Sequence, residues 1–163
     1  MEMTRYRISP IKTPEESQRT KTVAKRVFGA GVTLLLPRKP KWGFYARDEG
    51  SYVGGVLLEK MGPDEGLLSW IFVDKKAQGN KLGSRLLETG IQTMDEEGLK
   101  TQFSLVRADN TASWNMFAKN GYRRPSVLRS LFGYSMKGFL KRLGYSFATG
   151  YSTWVRDDAL GNT

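Results

Sequence analysis

Apolar and polar positions alternate along this chain with two periods, and the change from one to the other marks its elements. Residues 67–73 form an apolar run of strand length, followed by a polar turn carrying Gln78, Gly79 and Gly83. Leu82, Leu86, Leu87, Ile91 and Met94 then recur at helical spacing, with Gly98 placed as a C-terminal cap. Upstream, residues 4–9 read as a strand. Thr13, Pro14, Glu15 and Glu16 start a helix, because Thr13 can cap, Pro14 suits the first helical position and Glu16 completes a capping box. Val23, Ala24, Val27 and Phe28 give that helix one buried face, and residues 29–31 end it.

Strand patterns over 42–47 and 52–61 flank a hairpin turn at Asp48, Glu49 and Gly50, and a further turn over 62–66 leads into 67–73. Three strands joined by tight turns make an antiparallel meander. Residues 101–107 alternate as a strand, Asp109 or Asn110 caps a short helix through Met116 and Phe117, and Asn120-Gly121 closes it. Leu128, Leu131, Phe132, Met136, Phe139 and Leu143 have helical spacing, and residues 151–156 form a last strand. A helix between two strands makes a right-handed crossover to a parallel neighbour. The expected class is therefore α/β (α+β), a mixed, mostly antiparallel sheet with helices on both faces.

Composition narrows the chemistry. The chain has 163 residues, a length suited to one domain, and contains neither cysteine nor histidine. Disulfides, thiolate and imidazole nucleophiles and the usual zinc sites are thereby excluded, and no metal is expected. Proton transfer falls to carboxylates, tyrosines, lysines, backbone groups or water. No apolar run approaches a membrane span and the N-terminal stretch MEMTRYRIS lacks a leader's apolar core, so a cytoplasmic protein is expected. The formal charge is +10, and no carboxylate occurs between Asp109 and Asp157, where Lys119, Arg123, Arg124, Arg129, Lys137, Lys141, Arg142 and Arg156 all fall. Such a field attracts acidic substrates, anionic cofactors, nucleic acid or an anionic membrane surface. The bland alternative is a solvated basic surface.

A strand, a glycine turn and a helix in succession suit a diphosphate, since the first N–H groups of a helix and its dipole stabilise an anion. The order of elements around this turn, with LVRADN ending the next strand and KNGY ending the short helix, resembles the GNAT superfamily of acetyl-CoA-dependent N-acetyltransferases. The resemblance implies that Gln78, Gly79, Asn80, Lys81, Leu82, Gly83 and Ser84 hold the pyrophosphate. Ile71, Phe72 and Val73 would pair with the pantetheine arm in a gap beside residues 101–107, and Asn110 and Phe117 would contact the cofactor. Lys81 stands where the family has a glycine, which predicts weakened or rearranged binding. Phe117 and Leu105 stand where family members carry a general acid and a general base. Substitutes are Glu59, Glu65 or a strand-bound water as base, and Tyr122, Tyr145 or Tyr151 as acid.

The implied function is transfer of an acetyl group to the amine of a small-molecule or peptide acceptor, acidic in character if the basic segment meets it. The alternative is an acyl-CoA-binding protein with weak or no transferase activity. A nucleic-acid partner is less favoured, because no recognised motif accompanies the charge. The whole chain, 1–163, is read as one domain with an extended basic insertion at about 123–145, a lid, a homodimer contact or plain packing on the sheet.

Overall fold

A computed structural model of the chain describes residues 5–31, 40–107, 109–125 and 151–157. The elements run β1 (Tyr6–Pro10), α1 (Pro14–Phe28), β2 (Trp42–Asp48), β3 (Ser51–Lys60), β4 (Glu65–Val73), a 3₁₀ turn (Lys75–Ala77), α2 (Leu82–Glu96), β5 (Thr101–Arg107), α3 (Thr111–Lys119) and β6 (Tyr151–Asp157). The six strands form one sheet in the order β1-β2-β3-β4-β5-β6. β1 with β2, β2 with β3 and β5 with β6 pair antiparallel, whereas β4 and β5 are parallel from Glu65↔Thr101 to Leu68↔Ser104. The mixed, mostly antiparallel sheet follows from the crossover through α2.

Local chemistry explains most boundaries. Thr13 Oγ1 accepts from the Glu16 N–H at 3.2 Å while Glu16 Oε2 accepts from the Thr13 N–H at 3.0 Å, closing the capping box of α1. Between β2 and β3, Glu49 and Gly50 take φ of 46° and 87°, the left-handed pair that fits a two-residue hairpin. α2 ends in a Schellman arrangement, Gly98 N–H on Asp95 O and Leu99 N–H on Met94 O, with Gly98 at φ 72°. β4 starts at Glu65, earlier than the apolar run, because the Met61 and Gly62 N–H groups both bond Glu65 O and compress the turn. The 3₁₀ turn has no counterpart in the sequence pattern. Residues 126–143, read as an amphipathic helix, lie outside the described residues, as does Tyr145.

Two compact units are distinguished, one of Met1–Glu59 with Ser69–Gly90 and the other of Lys60–Leu68 with Ile91–Thr163. In the first, Val23, Ala24, Leu57, Trp70 and Phe72 form the buried cluster, with Ile11, Val27, Phe28 and Tyr52 packed on it. Two neighbouring glycines of β3 set the layer spacing there. A Cβ on Gly54 would lie 2.8 Å from Phe72 O and 3.3 Å from Leu86 Cδ1 of α2, and one on Gly55 would lie 2.9 Å from Thr20 Cγ2 of α1. Successive strand residues face opposite sides, so the pair lets a helix close on each face. The second unit is centred on Met61, Leu67, Phe103 and Val155. Among the described residues no helix is long and apolar enough to cross a membrane.

Candidate functional site

The turn between β4 and α2 is anchored at Asp74, a buried residue whose N–H donates to Val53 O at 2.8 Å. Its carboxylate accepts from the Lys76 N–H and pairs with the Arg26 guanidinium of α1. Beyond it, side-chain amides close the loop. Gln78 Nε2 donates to Val73 O at 3.1 Å, and Asn80 Nδ2 donates to Gln78 O at 3.1 Å. Gly79 and Lys81 take φ of 79° and 57°. Lys81 thus adopts the left-handed conformation its glycine counterpart would reach freely, at a cost of about 1–2 kcal/mol.

That geometry leaves a run of donors. The Arg85 N–H bonds Lys81 O, beginning the helical ladder, but no acceptor among the described residues meets the N–H groups of residues 79–84. Residues 78–81 are exposed. α1 carries Glu15 and Glu16 in its first turn, whereas the first turn of α2 has no acidic residue. Its positive dipole end is therefore not neutralised from within the helix, and Lys75, Lys76 and Lys81 add charge around it. Six consecutive amides without an acceptor among the described residues, two φ-positive residues and local cations make an arrangement that suits an anion. Ile71 and Val73 of β4 are half-buried, whereas Phe72 is turned into the core against Phe28.

In the second unit, Asn110 is the N-cap of α3, its Oδ1 accepting from the Ser113 N–H at 3.0 Å. The amide Nδ2 has no partner among the described residues, so capping and ligand contact are compatible. Phe117 is buried and meets Tyr122 edge-on, with ring centroids 5.1 Å apart. Leu105 pairs with Thr153 across β5 and β6. Phe117 is a buried core residue and Leu105 a half-buried strand residue, and neither carries a titratable group.

The substitute acids and bases are dispersed. Glu65 opens β4 and is 7% exposed, at the end opposite Val73, so its proposed part as a base does not fit. Glu59 is half-buried near the end of β3, five residues beyond Gly54, whose neighbours are Phe72 and Val73. At about 3.3 Å per residue that is roughly 16 Å of strand, which removes Glu59 from the cradle end as well. Tyr122 is 1% exposed, its hydroxyl 3.5 Å from Gln102 Oε1, and burial pushes its phenol far above the ordinary range. It is a core residue and not an accessible acid. Tyr151 differs. It pairs with Arg107 at the C-terminal end of β5, is half-buried, and burial raises its phenol while nearby Arg107 opposes the rise. It stays protonated at neutral pH and can donate.

Residues 9–122 match the model of the acetyltransferase (GNAT) family. The chain belongs to that family. As a GNAT acyltransferase it shares its fold with the ribosomal-protein-S18-alanine N-acetyltransferase of Escherichia coli, at 18% identity, TM-score 0.69, and coverage of 97% of this chain and 98% of that one. A GNAT family acetyltransferase from Elizabethkingia anophelis with acetyl-CoA bound is similar at 12% identity, TM-score 0.66, and 94% and 98% coverage. N-acetylglutamate synthase from Neisseria gonorrhoeae, complexed with coenzyme A and N-acetyl-glutamate, is similar at 18% identity and TM-score 0.64 over 93% of this chain and 34% of that one. No curated protein matches the chain in sequence.

The glycine turn between β4 and α2 is visible in the sequence pattern, but two features are not. The anchoring of the turn by Asp74 depends on Val53 and Arg26, distant in sequence. A stacked cluster of Trp114, Trp154 and Arg124 in the second unit has no motif at all.

Proposed function

We propose that the protein transfers the acetyl group of acetyl-CoA to an amine by direct attack in a ternary complex. The observation carrying this reading is the run of amides over 79–84 at the start of α2 that meet no acceptor among the described residues. Acetyl-CoA supplies an activated acyl carbon and a thiolate leaving group. The backbone of 79–84 holds its diphosphate, with the Lys81 ammonium at the rim. The backbone of Ile71–Val73 orients the pantetheine arm as an added strand and polarises the thioester carbonyl. Gln78 occupies Val73 O and exchanges it when the arm pairs there. The Asn110 amide contacts the arm. The incoming nitrogen loses its proton to water, and the Tyr151 hydroxyl donates one to the departing sulfur. Positioning carries most of the acceleration.

The family match ends at residue 122, but β6, which follows it, pairs along the full length of β5. We read 1–163 as a single domain with an insertion at about 123–145, and the β5–β6 pairing supports placing β6 in the same unit as β5. The acceptor is a small-molecule or peptide amine.

The rival reading, an acyl-CoA-binding protein without turnover, is favoured by the apolar Phe117 and Leu105 at the family's acid and base positions. Thermal shift with CoA, together with thiol release from acetyl-CoA across amines, dipeptides and polyamines, separates the two. Turnover with at least one acceptor is expected. Binding of CoA with no thiol release from any acceptor overturns the transferase in favour of the binder.

A further inference from the structure

Arg124 is held in a way that ordinary surface arginines are not. Its Cζ lies 4.5 Å from the Trp114 ring centroid and 5.6 Å from that of Trp154, and the two rings are 6.2 Å apart at 42°. Nη2 donates to Ser152 Oγ at 3.3 Å. The platform beneath it is fixed from several sides. Trp114 Nε1 donates to Arg107 O at 3.0 Å, and the Trp114 N–H bonds Asn110 O, joining the ring to the first turn of α3. Ser104↔Trp154 and Val106↔Ser152 set the other partners by β5–β6 register. Reciprocal 2.8 Å bonds between Arg123 and Val155 hold the residue just before Arg124.

This guanidinium lacks what its charge normally finds. Asp109, near in sequence to Trp114, is bonded to Arg107 at 2.6 Å. No carboxylate occurs from residue 110 to residue 156, and none among the described residues pairs with Arg124. A stacked guanidinium keeps its fork of donors, loses part of its hydration and has its side-chain entropy already restricted, the state that favours bidentate capture of a planar oxyanion. Independently, the Trp154 indole N–H is buried and meets no acceptor among the described residues, a second donor in the same cluster.

We infer that Arg124, presented on Trp114 and Trp154, binds a carboxylate of the amine acceptor, so that the substrate class is amines that also carry a carboxylate. This rests on the transferase reading, and deepens it. Lysine would not replace Arg124, because a point charge neither stacks flat nor forks.

The test uses the full chain and matched probes: Gly-Phe, Gly-Glu and 4-aminobutyrate, each beside its terminal amide. Tryptophan fluorescence gives their affinities and thiol release gives acceptor KM and kcat. The carboxylate forms are expected to bind about 10- to 100-fold more tightly than the amides, the range for hydrogen bonds to charged groups. Arg124→Gln should erase that preference, Arg124→Lys should restore only a small part, and both should melt near the parent. Equal affinity for acid and amide, or a preference that survives in R124Q, overturns the inference. So does a loss of CoA affinity in R124Q that is absent with dephospho-CoA, since the anion would then be the cofactor's phosphate. Absence of thiol release from every probe would instead count against the transferase, while the fluorescence titrations would still decide the carboxylate site.

Discussion

On the function and acceptor site proposed above, the turn after β4 and the end of β5 with β6 would each hold an anion, and their means differ. The first uses backbone: free amides, positive φ at Gly79 and Lys81, and a helix dipole without acidic neighbours. The second uses side chains: Arg124 on two tryptophans, Asn110 at a helix cap and a half-buried Tyr151. A backbone device tolerates many side chains provided that φ and the glycine space are kept, whereas a side-chain device is lost with one substitution. If the proposed assignments hold, the contrast implies that cofactor binding and acceptor choice can change independently.

The sharpest way to break the comparison is Tyr151→Phe. With the transferring proton removed, turnover should fall about 100- to 10,000-fold while the thermal shift with CoA stays unchanged. Turnover equal to the parent would remove Tyr151 from the chemistry. Gly79→Val should act in the opposite sense. A β-branched residue at φ 79° is strained, and its Cβ enters space that is open in the structure, so CoA affinity should drop about 10- to 100-fold, read by titration.

Gly54→Ala tests the scaffold beneath the turn, because its Cβ would meet the fixed Phe72 O at 2.8 Å. A loss of about 1–3 kcal/mol is expected in denaturant unfolding. Phe117→Tyr should cost a comparable about 1–3 kcal/mol by burying a hydroxyl, without raising turnover. A rise in turnover would show that the ring reaches the sulfur after all.

The smallest effects concern Lys81 and acid. Lys81→Gly should be neutral to slightly stabilising, within about 1 kcal/mol, as relief of strain is offset by backbone entropy. Lys81→Ala keeps the strain and should lower CoA affinity a few-fold. For acid, Glu16 is held below its ordinary value chiefly by the Lys12 N–H, and Asp48 chiefly by its hydrogen bond to Arg5. Depressed carboxylate pKa values stabilise the fold above the unfolded-state value, and that contribution is lost as pH falls through the folded one. Melting temperature should therefore decline below about pH 4.5, and less steeply in Glu16→Gln.

What could be read in advance tracks how local the physics is. The α1 cap lies within Thr13 to Glu16, and the hairpin within Asp48 to Gly50, so neighbouring residues specify them. The three residues Lys75 to Ala77 are too few to show a period, so nothing in the sequence pattern marks the 3₁₀ turn. Glu65 and Tyr122 looked available because polarity is visible in a sequence and burial is not. Lys81 departs from the family's glycine, and the backbone keeps a left-handed conformation there all the same. Arg124 meets Trp154 through the pairing of β6 with β5, and the Trp114–Trp154 contact beneath it spans 40 residues of sequence that no spacing rule announces.

The amides of Gln78 and Asn80, bonded to Val73 O and Gln78 O, have a consequence for kinetics. A loop already tied to itself has little conformational freedom left to surrender, so capture of the nucleotide should show a small entropic penalty in calorimetry and an association rate limited by encounter and not by folding of the loop.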